Sequence, residues 1–320
     1  MGSRAPDHNI NQDPCGQPPL ISRRQLLRLG IAVSLVLGGG AAMSAGMIQR
    51  RVPRTGESLP VLGLGTWQTF DVGAAPLARA PFRKVLLEFA AHGGSVIDSS
   101  PMYGRSEAVV GDLAAELGLQ KQLFLATKVW TNGRDAGIRQ MEQSFQRLRA
   151  GRIDLMQVHN LLDWRTHLPT VKRWQEQGKV RYVGVTHYTA AAHGELARVL
   201  ETEDLDFVQI NYSMAERDAE RKLLPLAADK RVAVIINRPF AEGALFGTVR
   251  DKPLPPWANE IGCVTWSQFF LKFIIAHPAV TCVIPATSKV THLLDNLQAG
   301  VGPLPDRAMR QRMARYFAEV

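Results

Sequence analysis

From about residue 59 onward the chain alternates between short apolar runs and longer amphipathic segments. The runs that predict strands are Val61–Leu64, Ser95–Ile97, Leu123–Thr127, Asp154–Val158, Tyr182–Val185, Phe207–Ile210, Ala233–Ile236 and Thr281–Ile284. Between them apolar residues fall at helical spacing. Ile138, Met141, Phe145 and Leu148 share one face, and Val109, Val110, Leu113 and Leu117 form a stripe behind Ser106, a residue type that caps helices well. The middle strands recur every 26 to 31 residues or so, roughly the length of one strand, one helix and two short loops. Eight such units predict an α/β fold, a single-domain (β/α)8 TIM barrel spanning 52–320. A doubly wound open sheet would carry a G-x-G-x-x-G turn after an early strand. Gly63-Leu64-Gly65-Thr66-Trp67 lacks the third glycine and the following helix, and no Pro, Gly or Ser-rich linker divides 52–320.

Residues 1–50 break this rhythm. Residues 1–21 are polar and contain proline, Ser22-Arg23-Arg24-Gln25-Leu26-Leu27-Arg28 is basic, and Leu29–Gln49 carries no charge. That is the layout of a signal sequence, and the paired arginines resemble a twin-arginine export signal. The leader therefore predicts engagement of an export machinery and a periplasmic protein. An uncleaved apolar run of this length would instead predict a membrane anchor. The net charge of +9 does not point to nucleic acid. Five arginines against two aspartates place +3 in the leader, and the remaining +6 is spread without a long basic run. With 46% hydrophobic and 21% charged residues the remainder has the composition of a globular core. Beyond the leader only Cys263 and Cys282 remain, and two buried thiols are expected of them rather than a disulfide.

In a parallel barrel the side chains at the C-terminal ends of the strands converge on one mouth, where the chemistry occurs. The second predicted strand runs into Asp98, with Tyr103 in the next turn; the third ends at Lys128 and the fourth at His159. Singly, these residues read as a turn aspartate, a half-buried tyrosine, a snorkelling lysine and a satisfied core histidine. Their recurrence at equivalent places in three units favours a shared site. A free tyrosine has a pKa near ~10, and an adjacent ammonium is expected to lower it, while a buried lysine needs a carboxylate to stay charged. The predicted chain is that Asp98 holds Lys128, Lys128 tunes Tyr103, Tyr103 delivers a proton, and His159 donates to the same oxygen. One histidine with one aspartate is thin for a catalytic metal site, and none is expected.

These residues resemble the aldo/keto reductase family. The likeness extends from Val52 to about Gly302 and includes Leu62-Gly63-Leu64-Gly65-Thr66-Trp67, the Asp98 to Tyr103 turn with Gly104 and Glu107, Ala126-Thr127-Lys128, Gln157-Val158-His159 and Gln209-Ile210-Asn211-Tyr212-Ser213. The resemblance implies a catalytic tetrad of Asp98, Tyr103, Lys128 and His159. It also implies a nicotinamide cofactor at the barrel mouth and hydride delivery to an aldehyde or ketone. Thr66 and Trp67 match the family's first-strand position, and Gln209 matches the glutamine that holds the carboxamide. Thr186 and His187 stand where Ser-Asn is usual. Where many members place an aromatic ring under the nicotinamide, this chain reads Ile236-Asn237-Arg238-Pro239-Phe240, so Arg238 or Phe240 is expected to supply the stacking surface beside Asn237. Thr287, Ser288 and Lys289 leading to His292 and Asn296 look like the adenosine phosphate segment, which favours NADP(H) while admitting NAD(H).

The resulting expectation is an exported NADP(H)-dependent oxidoreductase reducing a small-molecule carbonyl substrate, with Tyr103 as general acid. The alternative is a slow or non-turnover redox-sensing module of the same fold, which the altered stacking residues and the leader favour. Trp67, Trp130 and Trp164 are candidates to line an apolar substrate pocket, with core or loop packing the competing reading for each. Arg307 to Arg315 reads as a solvated amphipathic helix, and no motif encodes an oligomeric state.

Overall fold

The computed structural model describes residues 46–320. A short antiparallel hairpin, β1 (Gln49–Arg51) and β2 (Ser58–Pro60), precedes eight parallel strands. These are β3 (Leu64–Gly65), β4 (Val96–Asp98), β5 (Phe124–Val129), β6 (Ile153–His159), β7 (Val180–Thr186), β8 (Phe207–Asn211), β9 (Ala233–Asn237) and β10 (Val280–Val283). Each pairs with its neighbour in chain order. The ring is completed where Gly63 N donates to Val283 O at 2.8 Å and Gly65 N to Pro285 O at 3.1 Å. A Cβ on Gly65 would lie 2.8 Å from Ile284 O, so this seam needs a residue without a side chain. The fold is TIM-barrel-like, with all eight expected strands present.

Among the described residues ten α-helices lie outside the strands: α1 (Pro76–Ala91), α2 (Ser106–Glu116), α3 (Arg134–Leu148), α4 (Trp164–Glu176), α5 (His193–Thr202), α6 (Leu223–Asp229), α7 (Ala244–Thr248), α8 (Trp266–Ile275), α9 (Val290–Gln298) and α10 (Arg307–Glu319). Ile97, Val129, Met156, Val158, Val183, Val185, Val208 and Ile210 face this sheath and join the large cluster that includes Val109, Leu113, Met141 and Leu148. The opposite strand faces form a separate cluster inside the barrel, which includes Val96, Phe124, Ala126, Leu155, Tyr182, Phe207, Ala233 and Ile235. Burying each large side chain contributes about 1.5–3 kcal/mol. Because side chains alternate along a strand, the residues two positions after the last apolar inward ones also point in. That rule carries Asp98, Lys128, Gln157, Gln209 and Asn237 to the mouth above an apolar floor.

The hairpin closes the opposite end. Val52 and Leu59 join the interior cluster, and Glu57 accepts from both Arg181 and Tyr182, whose hydroxyl also meets Thr55 at 2.9 Å. The compact unit begins inside the charge-free run Leu29–Gln49 of the leader reading. Met47 and Ile48 pack on the core, and Ile48 N donates to Gly300 O at 2.8 Å. The rest of the leader, with Arg23 and Arg24, lies outside the described residues. No described helix is long and apolar enough to cross a membrane.

Two local expectations need correction. Ser106 is the first residue of α2 rather than its cap, because its hydroxyl turns back to donate to Tyr103 O at 2.8 Å and so ties the helix to the tyrosine's turn. Helix α10 is not merely a solvated surface: Arg310 reaches Phe273 O at 3.0 Å, Glu220 at 2.8 Å and the Tyr212 hydroxyl, clamping it to the barrel. Cys263 and Cys282 are free, buried thiols, and burial pushes Cys263 up to about 12.

Candidate active site

Register brings the inward polar residues together. Asp98 pairs with Ala126, Lys128 with Gln157, His159 with Thr186, Thr186 with Gln209, and Asn211 with Asn237, so one side chain after another steps around the mouth. Lys128 lies one residue inside the end of β5 rather than at its tip, and it is fully buried. Its Nζ donates to Asp98 Oδ2 at 2.5 Å and to Ser99 O at 2.7 Å, which leaves the third of its donors for the Tyr103 side. The ammonium sits 4.8 Å from the centroid of the Tyr103 ring.

The second Asp98 oxygen, Oδ1, accepts from Gln157 Nε2 at 3.1 Å and Gln209 Nε2 at 2.8 Å. A buried ion pair is stable only if its remaining lone pairs are also satisfied. Here both carboxylate oxygens are. Burial alone would lower the Lys128 ammonium, but Asp98, with help from Tyr103, carries it above the ordinary lysine value.

Tyr103 is held by the turn that precedes α2. Gly104 has φ of +61°, and a Cβ there would lie 2.4 Å from the Asp71 carboxyl carbon. Asp71 in turn accepts from Arg105 N at 3.1 Å and Arg105 Nε at 2.9 Å. Glycine is required for both the left-handed backbone and the close approach. The tyrosine is part-exposed as a residue, while its phenol end is crowded by the site. Burial pushes the phenol up, Lys128 pulls it down and Asp98 pushes it up again, with a net direction above the ordinary tyrosine value. This reverses the lowering expected from the sequence, because desolvation of the phenolate outweighs the ammonium beside it.

His159 meets Tyr103 edge-on, with ring centroids 5.7 Å apart, and Trp130 at 6.4 Å. Its Nδ1 lies 3.0 Å from Ser100 Oγ. Burial, reinforced by the Lys128 charge, brings the imidazole down to about 2. It is neutral at any physiological pH.

The remaining predicted residues divide into two groups. Thr66 is fully buried and donates to Asp98 O at 3.0 Å, whereas Trp67 is exposed. Gln209 spends its amide inside the protein, since its Oε1 accepts from Thr186 at 3.2 Å and from Asn237 Nδ2 at 3.3 Å. Asn237 Oδ1 and Asn160 Oδ1 are buried with no partner. His187 turns its Nδ1 to the backbone of Tyr188 and Thr189. Arg238, in a left-handed conformation with φ of +49°, donates to Tyr188 O at 2.8 Å and lies 3.2 Å from Glu242. Phe240 packs on Phe246 with centroids 4.9 Å apart, against the core. In the loop after β7, Tyr188 is exposed and stacks on His187.

At the other end of the mouth, Thr287 is buried and caps Lys289 N at 3.1 Å, Ser288 is half-buried, and Lys289 and His292 are exposed at the start of α9. Asn296 faces inward and accepts from Ser267. Trp164 is not at the mouth. It is buried at the start of α4, where its Nε1 reaches Glu195 on α5 at 3.4 Å.

Sequence reasoning assigned no role to Ser99, Ser100, Gln157, Asn160 and Tyr188. Gln157 was detectable as the inward residue two before His159, but the rest depend on loop geometry.

The family model for the aldo/keto reductase family matches residues 61–313. The chain belongs to the aldo/keto reductase family. It is 28% identical over 216 residues to the aldo-keto reductase YhdN of Bacillus subtilis, covering 62% of this chain and 63% of YhdN. It is also 28% identical over 242 residues to the NADH-specific methylglyoxal reductase of Escherichia coli, covering 64% and 71%. An aldo/keto reductase from Klebsiella pneumoniae, solved in complex with NADP and acetate, superposes with a TM-score of 0.68 at 26% identity over 82% of this chain and 93% of that one. The holo form of a Bacillus halodurans aldo-keto reductase shares the fold, with a TM-score of 0.69 at 21% identity over 85% and 96%.

Proposed function

We propose that this aldo/keto reductase is an NADP(H)-dependent carbonyl reductase in which Tyr103 is the general acid. The observation that carries the reading is the buried Asp98–Lys128 pair with the ammonium beside the Tyr103 phenol. Lys128, held cationic by Asp98, stabilises negative charge as it develops on the phenol oxygen. That stabilisation applies only as the proton leaves, which is the condition for catalysis. Neutral His159 donates to the substrate oxygen and orients it. Trp67, Met102 and Trp130 are exposed large apolar side chains in the segments that form the mouth and suit an apolar substituent on the carbonyl.

A bound nicotinamide cofactor would supply the hydride. The residues present fit it, since the unpartnered Asn237 Oδ1 is an acceptor suited to a carboxamide N–H. The adenosine end would meet Ser288, the exposed Lys289 and the backbone amides opening α9, an arrangement that suits a 2′-phosphate. Tyr188, braced by Arg238, is the proposed nicotinamide floor in place of Arg238 or Phe240 themselves. The Klebsiella relative was solved with NADP and the Escherichia coli relative is NADH-specific, so the assay compares both cofactors. NADPH oxidation is expected with at least one member of a panel of aldehydes and ketones. NADPH binding without turnover on any of them would favour the redox-sensing module instead.

The pH profile follows from the two shifts. His159 stays neutral because its value falls near 2, and Tyr103 stays protonated until the pH passes its raised value. The rate of carbonyl reduction is therefore expected to show no step near the ordinary histidine pKa of ~6.5 and to fall only above about pH 10. A logarithmic plot of kcat against pH with a break between 6 and 7 assigned to His159 would contradict this.

We further propose that residues 1–50 direct export by a twin-arginine route. Replacing both Arg23 and Arg24 by Lys is expected to shift the protein from the periplasmic to the cytoplasmic fraction, as read by immunoblot.

A further inference from the structure

A neutral imidazole has one N–H donor and one lone pair, and only the tautomer protonated on the mouth-facing nitrogen can donate to a substrate oxygen. Which nitrogen holds the proton is set by the partner of the other one. For His159 that partner is Ser100, whose hydroxyl lies 3.0 Å from Nδ1. Ser100 is fully buried, in the strand-to-turn segment that links Asp98 to Tyr103.

Two arrangements satisfy that distance. In one the hydroxyl donates to Nδ1, and in the other Nδ1–H donates to the hydroxyl. A second hydrogen bond decides between them. Met102 N donates to the same Ser100 Oγ at 3.3 Å, so the oxygen is already an acceptor. Its single hydrogen then needs an acceptor of its own, and Nδ1 is its one side-chain partner among the described residues. If Nδ1 carried the proton, the hydroxyl hydrogen would be left unpaired in a fully buried position, which native structures avoid.

We propose that Ser100 is a positioning residue that holds His159 in the Nε2–H tautomer by donating to Nδ1, with Met102 N–H fixing the direction of that donation. Nε2 has no protein partner among the described residues and is left to face the mouth. The edge-on Tyr103 ring and the tilted Trp130 ring pack beside the imidazole and limit its rotation. The catalytic consequence rests on the donor role proposed above for His159, but the tautomer itself can be read without turnover.

The test is long-range 1H–15N correlation NMR on protein labelled at histidine nitrogens, with the His159 signals assigned by their loss in His159→Gln. Wild type is expected to show a protonated Nε2 and an unprotonated, hydrogen-bonded Nδ1 that does not titrate between pH 5 and pH 9. A protonated Nδ1 in wild type would overturn the proposal whether or not the protein turns over a carbonyl, and this spectrum alone decides if Ser100→Ala fails to fold. In folded Ser100→Ala the Nδ1 signal is expected to lose its hydrogen-bond shift. The turnover number should fall roughly tenfold to hundredfold, as for a misaligned catalytic group, with NADPH affinity unchanged. Ser100→Thr, which keeps the hydroxyl, is expected to restore both. An unchanged spectrum and an unchanged turnover number in Ser100→Ala would overturn the assignment.

Discussion

Replacing Tyr103 by Phe is expected to lower kcat for carbonyl reduction by about 10²- to 10⁴-fold, the usual contribution of a positioned general acid. NADPH affinity, measured by quenching of tryptophan fluorescence, should stay essentially as in wild type. The substitution removes one oxygen and keeps the ring that meets His159 edge-on. The Asp98–Lys128 pair does not depend on that oxygen, because Lys128 makes its two direct hydrogen bonds to Asp98 and Ser99. Stability should therefore change little, and the loss should lie in the chemical step. A Tyr103→Phe enzyme with wild-type kcat would remove Tyr103 from the proton path and point to a water or His159 as the donor.

Lys128→Met is expected to damage both activity and stability. Removing one partner of a buried ion pair leaves the other charge uncompensated, at a cost of about 3–5 kcal/mol. Asp98 would keep its hydrogen bonds from Gln157 and Gln209 but lose the ammonium 2.5 Å away. The expected readout is a fall in the midpoint of denaturant unfolding with an unchanged slope, together with loss of turnover comparable to Tyr103→Phe. Adding Asp98→Asn to Lys128→Met should recover much of the stability and none of the activity, since a neutral pair no longer buries a lone charge. The folded Lys128 value is raised, so the stability the pair contributes is present below the unfolded lysine value near ~10.4 and is lost only as the pH rises through the folded one. A Lys128→Met protein as stable as wild type would contradict the stabilising role assigned to the pair.

The barrel was legible because eight apolar runs alternate with amphipathic segments, the middle ones at even spacing, and the convergence of Asp98, Lys128 and His159 followed from reading where those runs stop. Strand ends were less legible than strands. Lys128 lies inside β5 because the apolar strand continues to Val129, and the inward face is then decided by alternation, not by the end of the run. Loops were the least legible part. Trp164 sits five residues beyond His159, the last residue of β6, but Asn160, Leu161 and Asp163 all adopt left-handed backbone, which swings the tryptophan into the helix layer. The role of Ser100 depends on a hydrogen bond across 59 positions, to which no local pattern points. The direction of the Tyr103 shift depended on how far burial outweighs a neighbouring charge, a balance of magnitudes that residue types alone do not carry.

The hairpin beneath the barrel gives the molecule a sealed end. With Val52 and Leu59 packed in the interior cluster, and Glu57 bound to Arg181 and Tyr182, the hairpin covers this end of the barrel. If Tyr103 is the acid, as proposed, every proton it gives away would have to be replaced from the side on which the substrate arrives and the product departs. Recharging of the acid and exchange of ligands share a single doorway, and a ligand lodged in it would halt both together.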